Sequence, residues 1–125
     1  MSNAPLLDEE SLANLASDLG DDFVILVLAR SIGELAERAI VLEQAKEMQD
    51  GLALKKVAHS ISGIAATIGA LQLRDAAKDV ELNFRNSWDS ADQDQLSSFN
   101  SLIAKSAERL KIQHALLSAK AGAAE

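Results

Sequence analysis

The amino-acid sequence predicts an all-α protein: an antiparallel, up-down-up-down four-helix bundle with a short extra helix at its N-terminus. Three observations indicate this class. The 125 residues include one Pro and six Gly, so few positions interrupt a helix. Aromatic residues make up only 3%, and the common residues Ala, Leu, Glu, Lys and Gln favour helices. Apolar residues recur at steps of three and four, the period of a helix that buries one face.

The short first helix is predicted from a cluster of acidic residues. Residues 8–10 are all acidic, and acids stabilise the positive end of a helix dipole. The apolar side of this helix carries Leu12, Leu15 and Leu19. Gly20 follows, and glycine is a typical helix stop.

Two longer helices follow. The second is predicted from Asp21 to about Met48, with apolar steps at Ile25, Leu28, Ile32, Leu35, Ala39 and Leu42. The turn signal Asp50-Gly51 then precedes the third helix. Its expected buried stripe consists of Leu54, Ala58, Ile61, Ala65 and Ile68. The pair Gly69-Ala70 interrupts this stripe and ends the helix.

The last two helices complete the predicted bundle. The apolar face of the fourth consists of Leu73, Ala76, Ala77, Val80 and Phe84. A loop at 86–90 is expected to offer Asp89 or Ser90 as a cap and to place Trp88 at the end of the bundle. The fifth helix carries Leu96, Phe99, Ile103, Ala107, Leu110 and Leu117. Short loops make successive helices antiparallel, which gives the up-down-up-down bundle. Residues 1–125 are predicted to form one domain, with 1–7 and 118–125 as frayed ends.

Composition and charge exclude several functions. The net charge of −7 would repel a phosphate backbone, so no nucleic-acid partner is expected. The absence of Cys excludes disulfides, zinc fingers and cysteine nucleophiles. The longest apolar run, 23–29, is far too short to span a bilayer, and no secretory leader is evident. The sequence therefore predicts a cytoplasmic protein without a membrane partner.

No assembled catalytic pocket is predicted. The only histidines are His59 and His114, and no signature of a hydrolytic triad accompanies them. Glu-x-x-His motifs, which build di-metal sites in helical bundles, are absent, and so is a phosphate-binding Gly-rich loop. No metal site and no cofactor are expected.

His59 is predicted to be exposed on the third helix. Residues three or four positions away share its helix face, and these are Lys55, Lys56, Ser62 and Gly63. The buried stripe lies on the other side of the helix. Because a mid-helix Gly costs about 1 kcal/mol relative to Ala, Gly63 indicates that a side chain there would obstruct an approach to the imidazole. Ala66 is also small, and the two lysines could attract an anion.

These features fit an imidazole that receives a phosphoryl group from a macromolecular donor. Neutral imidazole is nucleophilic near neutral pH. The stretch 58–70, with Leu73 and Glu81 beyond it, resembles the histidine-containing phosphotransfer (HPt) domains. In that family a Gly lies four positions after the His, and Gly-Ala lies ten and eleven positions after it. Leu lies fourteen positions after the His, and Glu or Gln lies near position twenty-two after it. Gly63, Gly69 and Ala70 match this pattern as well.

The resemblance implies a phosphorelay intermediate, a phosphohistidine carrier rather than a stand-alone enzyme. His59 would accept a phosphoryl group from the aspartyl phosphate of a receiver domain, or from a kinase such as a hybrid sensor histidine kinase. It would pass the group to the aspartate of a response regulator. Mg²⁺ is expected only on the partner receiver, and the carrier is expected to be a monomer. Glu81 would either orient the imidazole or pair with Arg85.

One position departs from the family pattern. The family has a Lys three residues after the His, where this chain has Ser62. Three alternatives remain open from the sequence. Lys55 or Lys56 substitutes for that Lys; the Ser62 hydroxyl donates to the phosphoryl oxygens; or the chain is a degenerate, unphosphorylated docking module for a receiver or another signalling partner.

Overall fold

The computed structural model describes residues 3–84, 88 and 92–123, and these residues form an all-helical fold. The described helices are α1 (Glu9–Leu19), α2 (Asp21–Glu47), α3 (Gly51–Ile68), α4 (Leu71–Phe84) and α5 (Gln93–Ala123). The predicted helix class and the order of the helices are thus confirmed. None of the described helices is long and apolar enough to cross a membrane.

The four longer helices pack around a shared core. α2 and α4 each contact both α3 and α5, and α1 lies against α2. Near one end of the bundle the Asn100 amide donates to Glu43 Oε1 at 3.5 Å, and near the other Lys120 Nζ lies 3.8 Å from Asp21 Oδ2. These two contacts are the ones expected if α2 and α5 run in opposite directions. The complete up-down-up-down order stays a prediction.

The predicted apolar stripes of α3 and α4 are confirmed. All five stripe residues of α3 are fully buried. Of the five predicted apolar residues of α4, four are buried and Ala76 is half-buried. The α2 prediction is partly wrong: Ile25, Ile32 and Ala39 are only half-buried, whereas Val24, Ser31 and Ala45 are buried. Since α2 contacts α1, α3 and α5, its buried face is broader than a single seam. On α5, the buried stripe residues are Leu96, Phe99, Ile103 and Leu110, and Ala107 and Leu117 are half-buried.

Local hydrogen bonds explain where the helices begin and end. Asp8 caps α1, because its carboxylate accepts from the backbone N–H and the hydroxyl of Ser11, which lowers the pKa of Asp8 below its usual value. Asp50 caps α3 by accepting from Ala53 N–H at 3.0 Å. Gly20 and Gly69 end α1 and α3 with positive φ angles of 96° and 75°.

The described residues near each end of the chain make contacts with the bundle, and the fraying of 1–7 and 118–125 stays a prediction. Leu7 is buried in the core, and Asp8 N–H donates to Gly69 O at 2.8 Å. α5 continues to Ala123 rather than ending near Ser118, because alanine favours helix and Lys120 reaches Asp21. Leu19, expected on the apolar side of α1, is instead 57% exposed.

The loop after α4 lies largely outside the described residues, so the expected caps Asp89 and Ser90 stay predictions. Trp88 is described. Its ring lies 5.7 Å from the Phe84 ring, at an interplanar angle of 43°, and packs against the core. This contact extends the core beyond the last turn of α4.

Gly69 is expected to be required for the junction between α3 and α4. Its φ of 75° disfavours a side chain, and a Cβ there would lie 3.2 Å from Asp8 Cβ. Gly69→Ala should therefore lower the free energy of unfolding by about 1–2 kcal/mol. Gly33→Ala is the matched control: a Cβ there meets nothing within 4 Å, so we expect a gain of about 0.5–1 kcal/mol. Urea denaturation measures both, and equal effects would contradict the prediction.

Candidate functional site

His59 stands on the outer surface of α3, and α4 supports it from one side. Its side chain is 74% exposed, and Nδ1 lies 3.0 Å from Glu81 Oε1. Glu81 is more enclosed, with 26% of its side chain exposed. A carboxylate offers only acceptors, so Nδ1 carries the proton of this hydrogen bond and Nε2 keeps its lone pair. The described residues give Nε2 no hydrogen-bond partner.

Helix packing sets this pair in place. Ala58 and Val80 immediately precede His59 and Glu81, and both are fully buried. Because successive side chains on a helix diverge, burial of these two residues brings the next side chain of each helix to the edge of the α3–α4 contact. The two polar groups therefore meet at the surface above the core.

Gly63 lies beside His59 on an open surface. It is exposed, and a Cβ built there would meet no atom within 4 Å. Packing inside this chain therefore does not require a glycine. Gly63 also borders a groove between α2 and α3, whose other lining residues are Val27, Arg30, Ser31, Glu34, Ser60, Ile64 and Thr67.

Of the residues predicted around His59, some reach the surface and one does not. Lys56 and Ala66 are exposed, and Lys55 is half-buried. Ser62 is only 7% exposed, and its hydroxyl donates to the His59 carbonyl oxygen at 2.7 Å. The expectation that Ser62 belongs to the exposed patch is thus wrong, because four residues after Ala58 it extends the buried stripe.

The structure adds two residues that sequence reasoning missed. Arg38 of α2 donates from Nε to Ser60 Oγ at 2.8 Å, and Ser60 is the residue after His59. The guanidinium of Arg38 is therefore held beside the turn of α3 that carries the imidazole. The two residues are 22 positions apart, and no local pattern in either helix signals the contact.

The polar groups at this site do not form a metal centre. Among the described residues, no cluster of three or more His, Asp or Glu side chains could hold a metal ion. What the arrangement provides is one nucleophilic nitrogen, one carboxylate behind it and open space in front. Such a site can accept a group that another macromolecule presents.

Glu81 is expected to select the tautomer of His59. Glu81→Ala removes the acceptor for Nδ1–H, so the neutral ring should lose its preference for a proton on Nδ1. Nitrogen-15 NMR of the imidazole distinguishes the two tautomers. Asp79→Ala, an exposed acid on the same helix, is the control and should leave the spectrum unchanged. An unchanged spectrum for Glu81→Ala would show that the hydrogen bond does not hold the ring.

Comparisons with known proteins identify a family and one similar fold. The family model described as the Hpt domain matches residues 27–119. The fold is similar to the crystal structure of histidine-containing phosphotransfer protein B (HptB) from Pseudomonas aeruginosa PAO1. The TM-score is 0.66 and the sequence identity 26%, over 94% of this chain and 96% of that one. No curated protein matches the sequence at a significant level. The family match covers most of the chain and includes the exposed histidine and its carboxylate partner, and the chain therefore belongs to the Hpt domain family.

Proposed function

We propose that this chain is a phosphorelay intermediate that carries a phosphoryl group on His59. The donor is the aspartyl phosphate of a receiver domain, or a kinase such as a hybrid sensor histidine kinase. The acceptor is the aspartate of a response-regulator receiver domain. Membership of the Hpt family supports a role in phosphotransfer, and the residue and the direction of transfer are our proposal.

The observation that carries this proposal is the hydrogen bond between His59 and Glu81. At 3.0 Å it occupies Nδ1, and the ring is otherwise 74% exposed. Nε2 therefore points its lone pair toward solvent, where a partner can reach it. An enclosed histidine that used both nitrogens could not receive a group in this way.

The transfer step follows from this arrangement. The Nε2 lone pair attacks the phosphorus of the partner's aspartyl phosphate, a new N–P bond forms, and the O–P bond breaks. The electron pair of that bond remains on the partner's aspartate as a carboxylate. The ring gains positive charge, which the Glu81 carboxylate stabilises through Nδ1–H. Transfer to the second receiver reverses these changes. Mg²⁺, bound by the receiver, would compensate charge on the phosphoryl oxygens.

The surface around His59 is the expected docking face. Gly63 and Ala66 leave the imidazole prominent on α3, and the groove toward α2 adjoins them. Lys56 is exposed on the same helix, one turn before His59. A relay must release its product, so we expect a modest, transient interface and a monomeric carrier.

The alternative is a degenerate module that docks a receiver without carrying phosphate. The replacement of the family lysine by Ser62 is the observation in its favour, because a buried hydroxyl that donates to a carbonyl supplies no charge. Binding and labelling separate the two functions.

His59→Gln should abolish labelling and preserve the fold, because His59 is exposed and its loss leaves the core intact. The measurement is transfer from a panel of phosphorylated receiver domains, followed as an acid-labile, base-stable label. His114→Gln on α5 is the control and should label normally. Label that persists in His59→Gln would overturn the assignment. A wild type that binds receivers but takes no label would favour the docking module.

Gly63→Ala is expected to separate stability from function. Because the added Cβ meets open space and removes the helix penalty of glycine, the free energy of unfolding should rise by about 0.5–1 kcal/mol. The same methyl group should slow transfer from a receiver, since it stands where the partner approaches His59. Gly33→Ala should give the same gain in stability without slowing transfer. Unimpaired transfer by Gly63→Ala would show that the partner does not approach over this residue.

A further inference from the structure

A phosphoryl group on His59 would need a cation close to it. A phosphorylated side chain carries a charge of about −1.5 to −2 near neutral pH, and the chain has a net charge of −7. Side chains on a helix lean toward its N-terminus, so the residue three positions after His59 is the one that would lean back over the imidazole. That residue is the buried Ser62, and Gly63 follows it. The helix that carries His59 thus supplies no cation from its C-terminal side.

The lysines of α3 lie on the less favourable side of His59. Lys55 and Lys56 precede it by four and three residues. Side chains on a helix lean toward the N-terminus, so both extend away from the imidazole. Lys78 on α4 precedes Glu81 by three residues. Its side chain also leans toward the N-terminus of its helix, and therefore away from the His59–Glu81 pair.

Arg38 is placed differently, because a hydrogen bond holds it against Ser60, on the α2 side of the α3 turn that carries His59. Its Nε–H donates to Ser60 Oγ at 2.8 Å, and Ser60 directly follows His59. Its only other polar contact among the described residues joins Nη1 to Glu37 Oε2 at 3.9 Å, beyond hydrogen-bond distance. The Arg38 side chain is 37% exposed, so its outer donors can still reach a ligand at the surface.

The groove between α2 and α3 gives this side of His59 the necessary space. Ser60 and Gly63 both border the groove, and a Cβ at Gly63 would meet no atom within 4 Å. Arg30, the arginine that lines this groove, is engaged by Glu34, with Nε 3.1 Å from Oε1. Arg38 is therefore the better placed of the two to meet an anion beside His59.

We propose that Arg38, positioned by Ser60, contacts the phosphoryl oxygens on His59 and supplies the positive charge that α3 lacks at position 62. This inference rests on the proposed function of His59. A guanidinium presents several N–H donors in a planar fork that suits phosphate oxygens. The cation of this site comes from the neighbouring helix, held by the residue next to the phosphoacceptor.

Phosphoramidate, a small phosphoryl donor, tests the proposal without a protein partner. Its reaction with the full chain can be followed by phosphorus-31 NMR as the phosphohistidine signal grows and then decays. We expect Arg38→Gln to slow phosphorylation at least about tenfold. Arg38→Lys should recover part of the loss, because it keeps the charge. Ser60→Ala should also slow the reaction, since it frees the Arg38 side chain.

The control is Lys105→Gln on α5, which changes the net charge equally at an exposed position and should react like wild type. Circular dichroism verifies the fold of each variant. If Arg38→Gln is unfolded, the phosphorylation rates of Arg38→Lys and Ser60→Ala test the role of Arg38 instead. Equal rates for wild type and the folded Arg38 and Ser60 variants would overturn the role of Arg38 while leaving His59 as the acceptor. No phosphohistidine in the wild type, from phosphoramidate or from receivers, would instead overturn the proposed function and this inference with it.

Discussion

The packing of α3 against α4 is the constraint on which the rest of the site depends. Ala58 and Val80 are fully buried where the two helices meet, and their burial fixes the rotation of each helix about its own axis. That rotation brings His59 and Glu81 to within 3.0 Å at the surface. Gly69, with its φ of 75°, reverses the chain so that the two helices can pack along their length. A core of apolar side chains thus brings an exposed imidazole against the carboxylate that is expected to set its tautomer.

The surface around His59 shows a balance between helix stability and access. A glycine at 63 weakens the helix, and no neighbour inside the chain requires it. Ser62, one residue earlier, is turned inward and donates to the carbonyl oxygen of His59. The family's usual cation is therefore missing where a phosphoryl group would need it. In our proposal, α2 provides the charge and the glycine keeps the path to the imidazole open.

α2 consequently has two roles in the molecule. Its buried face holds the bundle together against α1, α3 and α5. Its edge toward α3 carries Arg38 and the groove beside Gly63. The same edge also carries Glu34 and Glu37, so Arg38 is not part of a positive patch. In our proposal this one guanidinium acts on the phosphoryl group at short range, where screening by salt is weak, although the chain as a whole has a net charge of −7.

Much of this protein was determined by the sequence alone. Helix class, helix order and the stripes of α3 and α4 follow from periodicity, and the exposure of His59 follows from its position outside the stripe. These are local properties, set within a few turns of one helix. The tertiary structure decided the rest. It places Glu81 against His59, which the sequence left open, while Arg85, the other partner considered for Glu81, lies outside the described residues. It also buries Ser62, which was expected outside the core, and brings Arg38 to Ser60, a contact that was not foreseen. Each depends on how one helix is rotated against another, and that rotation is set by the whole core, which no single segment encodes.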